Sequence, residues 1–273
     1  MIKNKKILIV GAGGFIGGHL VNRLLKDSNS IVACDIKPKE YWFQDFENSE
    51  NHYSMDMKDI TNCKKVTKGV DYVFNMACNM GGMGFIENNK AECMQSVLIN
   101  TNLLIACKED KVSKYFFSSS ACAYNKTKQQ EVFIDGLKEE DAYPADPEDG
   151  YGWEKLFSER MCRHFMEDYG IQVRVARYHN IYGPYGTFDG GREKAPAALC
   201  RKVFNAKKNK DTKEPFEGHL NMGDKVANLS IDNGLICRPL GPAIVLCPQF
   251  IITKNQIDEI FDSLHKTIKQ VFN

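Results

Sequence analysis

The sequence predicts an α/β fold, a doubly wound parallel sheet with helices on both faces. Three observations predict it. Short β-branched apolar runs alternate with runs at helical spacing, a pattern that suits parallel strands joined by crossover helices. A glycine-rich turn, GAGGFIGG, stands between the first apolar run and the first helical one. A change of composition near residue 205 ends this alternation.

The elements follow in order. KKILIV (5–10) is a buried strand with lysines at its edge. HLVNRLLKD, after the glycine turn, carries apolar residues at helical spacing. SIVACD (30–35) is a second strand, ending in Asp35, and a helix is expected to begin near residue 59. VDYVFNMA (70–77) is a further strand, and residues 87–110 form one long helix. KYFFSSS is the next strand, 151–169 the next helix, and IQVRVARY (171–178) a strand again. Residues 1–205 form one nucleotide-binding domain, 206–228 a polar linker and 229–273 a small α/β cap. The cap holds a strand pair, PLGPAIVLCP and QFIIT, then an amphipathic helix. Ile257, Ile260, Phe261, Leu264, Ile268 and Val271 share one face of that helix.

Bulk composition excludes several classes. Lys plus Arg is 36 and Asp plus Glu is 35, a balance that gives no footprint for nucleic acid or an anionic membrane. The basic run KKNKDTK reads as a solvated loop. No stretch approaches the ~20 apolar residues of a membrane span. The start, MIKNKKILIVGAGG, has the look of a signal peptide, but ILIV is too short and runs directly into the glycine turn. It is expected to be a first strand, and the protein cytoplasmic. Ten cysteines show no C-x-x-C pair and six histidines no H-E-x-x-H cluster, so no metal site is expected. Most of the cysteines are expected to be reduced, buried, small apolar residues.

Gly11, Gly14, Phe15, Ile16 and Gly17 lie between a strand and a helix. Glycines there let the backbone approach a pyrophosphate, and the helix start supplies N–H groups and a positive dipole end. That context turns a weak motif into a Rossmann dinucleotide site. Asp35, about 20 residues on, suits a ribose and favours NAD, because it would repel the 2′-phosphate of NADP. Asp56 either approaches the adenine or caps the helix near residue 59. Met57, Ala77, Tyr151 and Lys155 complete the candidate cofactor residues.

Tyr151-Gly-Trp-Glu-Lys155 places a phenol and an ammonium on one helical face. The lysine favours the phenolate and is expected to lower the phenol's pKa. Tyr151 is then a general base for a hydroxyl proton, with Ser120, at a strand end, sharing that proton. Cys122 follows the same strand, where α/β proteins place their ligands.

Together GxxGxxG, Asp35, SSSAC and YGWEK resemble the extended short-chain dehydrogenase/reductase family, the NAD-dependent sugar-nucleotide epimerases and dehydratases. Within it, NMGGMGFIENN (79–89), SSSACAY (118–124), PADPEDGYGWEK (144–155), RYHNIYGPYGT (177–187) and GGREKAPAALCRK (190–202) are similar to the GDP-mannose 3,5-epimerases over residues 5–205. The resemblance implies transient oxidation at C4 of the sugar, inversion at C3 and C5 by a cysteine–lysine acid/base pair, and re-reduction. Cys122 and Lys194 occupy the matching positions. It implies substrate contacts from Gly81, Gly82, Met83, Ser120, Ala121, Cys122, Asn180, Glu193, Lys194, Ala195 and Lys202, the last toward a diphosphate. It also implies a GDP-sugar substrate and a homodimer paired through helices 87–110 and 151–169.

The family's chains continue far beyond the equivalent of Lys202, so the substrate lobe here is truncated or replaced. Residues 234–272 resemble the C-terminal tail of class III pyridoxal-phosphate aminotransferases, which lacks the Schiff-base lysine, so no pyridoxal chemistry is expected. Two alternatives stay open: a C4-epimerase or dehydratase on another sugar nucleotide, and an inactive NAD-binding relic.

Overall fold

A computed structural model describes residues 2–44, 46, 51–129, 136–206, 221–235, 237–240, 243–245 and 253–272. The chain divides into two compact units, Met1–Lys194 and Ala195–Asn273.

The first unit holds β1 (Lys6–Val10), α1 (Phe15–Leu25), β2 (Ser30–Asp35), β3 (Asn51–Ser54), α2 (Ile60–Val66) and β4 (Tyr72–Asn75). Then come α3 (Met83–Asn88), α4 (Lys90–Met94), α5 (Ser96–Glu109), β5 (Lys114–Ser120), α6 (Asp149–Tyr169) and β6 (Gln172–Tyr178). The six strands form one sheet in the order β3-β2-β1-β4-β5-β6, all parallel. This is the doubly wound order, and its direction reverses between β1 and β4. Val10 pairs with Cys34 on one side and Asn75 on the other, so three strands end side by side below the glycine turn.

The run ILIV is apolar throughout because helices cover both faces of β1. Ile7 and Ile9 pack with Val21 and Leu24 of α1, while Leu8 and Val10 face Leu103, Leu104 and Cys107 of α5. Each such side chain contributes roughly 1.5–3 kcal/mol on burial. Cys34, Cys63, Cys93, Cys107 and Cys162 are buried and free.

Two polar groupings cross this core. Asn75 Nδ2 donates to Tyr115 Oη (3.0 Å) and Asn100 Oδ1 (3.3 Å), and Tyr115 Oη donates to Asn100 Oδ1 (2.8 Å). Asn100 Nδ2 reaches Ser158 O at 3.4 Å, so α6 is registered against β4, β5 and α5 together. Farther along, Arg177 of β6 grips Glu159 of α6 with two hydrogen bonds (2.9 and 2.7 Å), and Ser119 Oγ donates to the same carboxylate.

Four differences from the sequence expectation have local causes. The single helix over 87–110 is broken at Asn89 (φ −131°, ψ 43°), where the amides of Asn88 and Asn89 donate to Gly84 O and Phe85 O. Asparagine side chains compete in this way with the continuing helix. Asp59, not Asp56, caps α2: its carboxylate accepts from Thr61 N at 2.8 Å. β3 is unannounced, because NHYS has no apolar run. Finally, α6 starts at Asp149, two positions before Tyr151.

The second unit contains α7 (Ala195–Ala206), α8 (Met222–Asp232), β7 (Arg238–Leu240), β8 (Ala243–Val245) and α9 (Lys254–Phe272). α8 begins inside the stretch expected to be a linker; 207–220 lie outside the described residues. PLGPAIVLCP is not one strand, since β7 and β8 within it form an antiparallel pair. Of QFIIT only Thr253 is described; it and Gln256 cap α9 reciprocally (Gln256 N to Thr253 Oγ1, 3.3 Å; Thr253 N to Gln256 Oε1, 2.9 Å). Asn233 Nδ2 joins α8 to α9 through Thr267 Oγ1 (3.0 Å) and Gln270 Oε1 (2.8 Å). The expected apolar face of α9 is split: Ile260, Leu264 and Val271 are partly buried, whereas Ile257, Phe261 and Ile268 are exposed. Among the described residues no helix is long and apolar enough to cross a membrane.

Candidate active site

The glycine turn is shaped by contacts that no larger residue allows. Gly11 turns at φ +86°, and its N–H and that of Ala12 donate to Cys34 O (2.8 and 3.0 Å). A Cβ on Gly17 would stand 2.1 Å from Gly11 O, so the helix can start this close to the strand only with glycine there. No side chain caps α1 at Gly14. The N–H groups of its first turn, at Phe15, Ile16 and Gly17, are thus left to a ligand. Ala77, from the end of β4, lies against Gly11.

Asp35 ends β2, nearly buried, with Oδ1 accepting from Lys37 N at 3.0 Å. The next residues fold back onto the turn. Trp42 lies over Gly13, where a Cβ would be 2.6 Å from its ring, and its Nε1 donates to Lys37 O at 2.9 Å. Trp42 is a site residue the sequence does not announce; its only signal is an aromatic seven positions after the acid. Asp56 accepts from Lys58 N and pairs with Lys58 Nζ at 3.6 Å. Met57 is buried in the larger core against Cys63, which gives its side chain a packing role.

The second half of the site sits where β5 ends and α6 begins. Tyr151 is buried beside Cys122, Cys78 and Cys93, and Ser120 hydrogen-bonds its phenol. Cys122 N donates to Ser120 Oγ at 3.3 Å, and Cys122 O accepts from Glu148 N at 2.9 Å. Gly152 makes this possible, because a Cβ on it would be 2.3 Å from Cys122 O. Lys155 is fully buried; its Nζ donates to Ser118 O (3.1 Å) and lies 5.5 Å from the Tyr151 ring. Nζ also hydrogen-bonds Cys78 and stands 3.5 Å from Glu154 Oε2.

The electrostatics correct one expectation. The sequence predicts that Lys155 lowers the Tyr151 phenol. Burial instead pushes that phenol well above its ordinary value, and Cys78, Cys122 and Glu154 push the same way against the Ser120 hydrogen bond. Lys155 spends its charge on Cys78 and Glu154: burial opposes its ammonium, but those neighbours outweigh burial and its pKa rises. Burial also raises the Cys122 thiol, with Glu148 adding to it, while Ser120 and the Lys194 ammonium pull it down. Cys78 and Glu154 escape the sequence reading because neither belongs to a spaced motif.

Lys194, seventy-two positions further along the sequence, thus acts on the Cys122 thiol through its charge. The glycines after β4 also pack tightly within the chain. A Cβ on Gly82 would be 2.5 Å from Glu193 O, and one on Gly81 would be 2.7 Å from Phe85 Cβ. Their open sides are filled by the chain itself. Met83 and Asn180 are exposed. Ala195 opens α7 and Lys202 lies within it; both belong to the second unit.

A turn that only glycine satisfies, an uncapped helix start and a buried acid at the next strand end fit a dinucleotide. Residues 7–218 match the NAD dependent epimerase/dehydratase family, and the chain belongs to that family. Its dinucleotide is NAD. The chain is similar to GDP-mannose 3,5-epimerase from Arabidopsis thaliana, 48% identical over 202 residues, covering 74% of this chain and 53% of that protein. It is likewise similar to GDP-mannose 3,5-epimerase 1 from Oryza sativa subsp. japonica, 50% identical over 199 residues, 72% of this chain and 52% of that one. It thus spans about half the length of these curated relatives. Among solved structures it is similar to UDP-N-acetylglucosamine 4-epimerase from Methanobrevibacter ruminantium M1 (TM-score 0.65, 26% identity, 75% of this chain and 64% of that one). The expected kinship of 234–272 with an aminotransferase tail finds no support in these matches, and the family match ends at residue 218.

Proposed function

We propose that the chain acts on a nucleotide sugar as an NAD-dependent epimerase of the GDP-mannose 3,5 type. The observation that carries this reading is the packing of Cys122 beside Tyr151, with the charge of Lys194 acting on the Cys122 thiol. A C4-epimerase needs Tyr151 but no second acid/base pair. The relatives at 48% and 50% identity support the GDP-mannose assignment.

The turn at Gly11–Gly17, Asp35 and Ala77, together with Tyr151 and Lys155, would hold NAD. NAD, when bound, would supply a reversible hydride acceptor and a positive charge at the site. Tyr151 takes the C4 hydroxyl proton at its phenolic oxygen, with Ser120 hydrogen-bonded to it. Lys155 holds its own proton and supplies positive charge within 5.5 Å of the Tyr151 ring. Once C4 is a ketone, the hydrogens at C3 and C5 are acidic. Cys122 and Lys194 work from opposite ring faces; one removes a proton and the other returns one. Gly81, Gly82, Met83, Ser120, Ala121, Asn180, Glu193, Ala195 and Lys202 remain proposed substrate residues, Lys202 for the diphosphate. The paired exposed side chains Met94 and Leu98, and Trp153 and Phe157, support a homodimer through α4–α5 and α6. A cytoplasmic location is part of the same reading.

The test is incubation of NAD-loaded protein with GDP-mannose in heavy water, followed by mass spectrometry. Solvent deuterium at C3 and C5, lost in Cys122→Ser, is the expected result; product formed without deuterium there leaves C4 chemistry alone. A second reading is an inactive NAD-binding relic. On that reading NAD raises the melting temperature and GDP-mannose adds nothing.

A further inference from the structure

Lys194 sits in a short run, 189–194, that has no regular secondary structure of its own. Something must fix it if its charge is to act on the thiol of Cys122, in the turn after β5. The contacts that do so converge on Arg192. Its guanidinium stacks 3.9 Å from the centre of the Phe85 ring. Its Nη1 donates to Asn79 Oδ1 at 2.8 Å and reaches Met80 O at 3.4 Å. Its carbonyl accepts from Gly82 N at 3.1 Å.

The surface it grips is itself held in place. Asn79 N donates to Ser96 Oγ (2.9 Å), and Asn79 Nδ2 to Glu92 Oε2 (3.1 Å), which ties the loop to α5 and α4. Gly82 has no room for a Cβ because Glu193 O lies against it, so the two segments touch backbone to backbone at Arg192 and Glu193. A guanidinium suits this task better than an ammonium, since its flat face stacks while its edge donates.

We propose that Arg192 is a positioning residue: by pinning residues 192–193 onto the 79–85 loop it sets the separation between the Lys194 amine and the Cys122 thiol. This deepens the epimerase reading and rests on the Cys122–Lys194 pair. Among the described residues Arg192 contacts Asn79, Met80, Gly82 and Phe85, and none of these contacts is to Cys122. It acts through Lys194, whose charge favours the Cys122 thiolate. Arg192 therefore governs inversion at C3 and C5 and not oxidation at C4.

The experiment reads Cys122 directly, on the full chain without substrate. The alkylation rate of Cys122 by iodoacetamide is followed by peptide mass spectrometry in wild type, Lys194→Met, Arg192→Met and the double variant. A shift of about half a unit in the Cys122 pKa changes the thiolate fraction, and with it the rate below the pKa, about threefold. Lys194→Met is expected to slow alkylation by at least that factor. Arg192→Met is expected to slow it in the same direction, and to add nothing in the Lys194→Met background. Phe85→Leu, which removes the ring under the guanidinium, is expected to behave like Arg192→Met, and NAD-induced stabilisation checks that each variant is folded. If Lys194→Met slows alkylation but Arg192→Met leaves it unchanged, or if the two effects add, the positioning role is overturned and the acid/base pair survives. If Lys194→Met has no effect, the pair itself falls, and the role of Arg192 with it.

Discussion

Gly152 lies bare-faced against the carbonyl of Cys122, so close that a Cβ would stand 2.3 Å from that oxygen. The same carbonyl accepts from Glu148 N, one turn earlier. The residue after Tyr151 thus sets how near the thiol-bearing loop comes to the phenol. In Gly152→Ala the loop must move, because the obstacle is backbone rather than a flexible side-chain end. A cost of about 1–3 kcal/mol is expected. Urea unfolding measures it, and Cys122 alkylation should change in the same variant while NAD stabilisation persists.

Gly17→Ala tests the other half of the site. A Cβ there meets Gly11 O at 2.1 Å, which forces α1 away from the turn. Ligand at a hundred times its Kd stabilises a folded protein by about 2.7 kcal/mol. The wild type should show a stabilisation of that order with saturating NAD, and Gly17→Ala should lose most of it. A full NAD response in the variant would put the dinucleotide elsewhere.

Alkaline stability offers a third test. Burial pushes the thiols of Cys34, Cys63 and Cys162 up from the ordinary 9.0 to about 12. The fold keeps these protons where the unfolded chain releases them. Their contribution is therefore intact below pH 9.0 and is lost as pH rises toward about 12. Urea midpoints should fall across that window, and Cys34→Ala should flatten the decline even though it lowers stability at neutral pH.

Phe157 is 51% exposed and Trp153 44% exposed, one turn apart on α6. If two copies pair there, Phe157→Lys places a charge in the seam. Light scattering should then report a single-chain mass for the variant and twice that mass for the wild type. An unchanged mass in both removes α6 from the interface.

Much of the fold is legible because its signals are local. Four apolar β-branched or leucine residues ended by a glycine turn read as a strand covered on both faces, and Gly11, Gly14 and Gly17 announce themselves by falling between that strand and a helix. Tyr151 and Lys155 are found by helical spacing alone. The site's electrostatics were not legible, because they depend on which distant groups come to rest beside the phenol. Cys78 follows β4 and Glu154 hides inside the Tyr–Lys spacing, yet these two take up the charge of Lys155. Trp42, Gly152 and Arg192 are missed for the same reason: each matters through a neighbour far away in the chain. The break at Asn89 escapes because two asparagine amides, and no glycine or proline, end α3.

The grip of Arg177 on Glu159 sets a lower limit on how short this nucleotide-binding unit can be cut. A fragment ending before β6 sheds the cation but retains the anion, which is only 12% exposed and is left with the Ser119 hydroxyl as its remaining partner. Removing one member of such an enclosed pair costs about 3–5 kcal/mol, a large part of the stability of a small domain. The final strand is therefore a clasp on the helix that bears Tyr151, and trimming from the C-terminal side should leave a soluble dinucleotide binder down to Tyr178 and an unfolded chain beyond it.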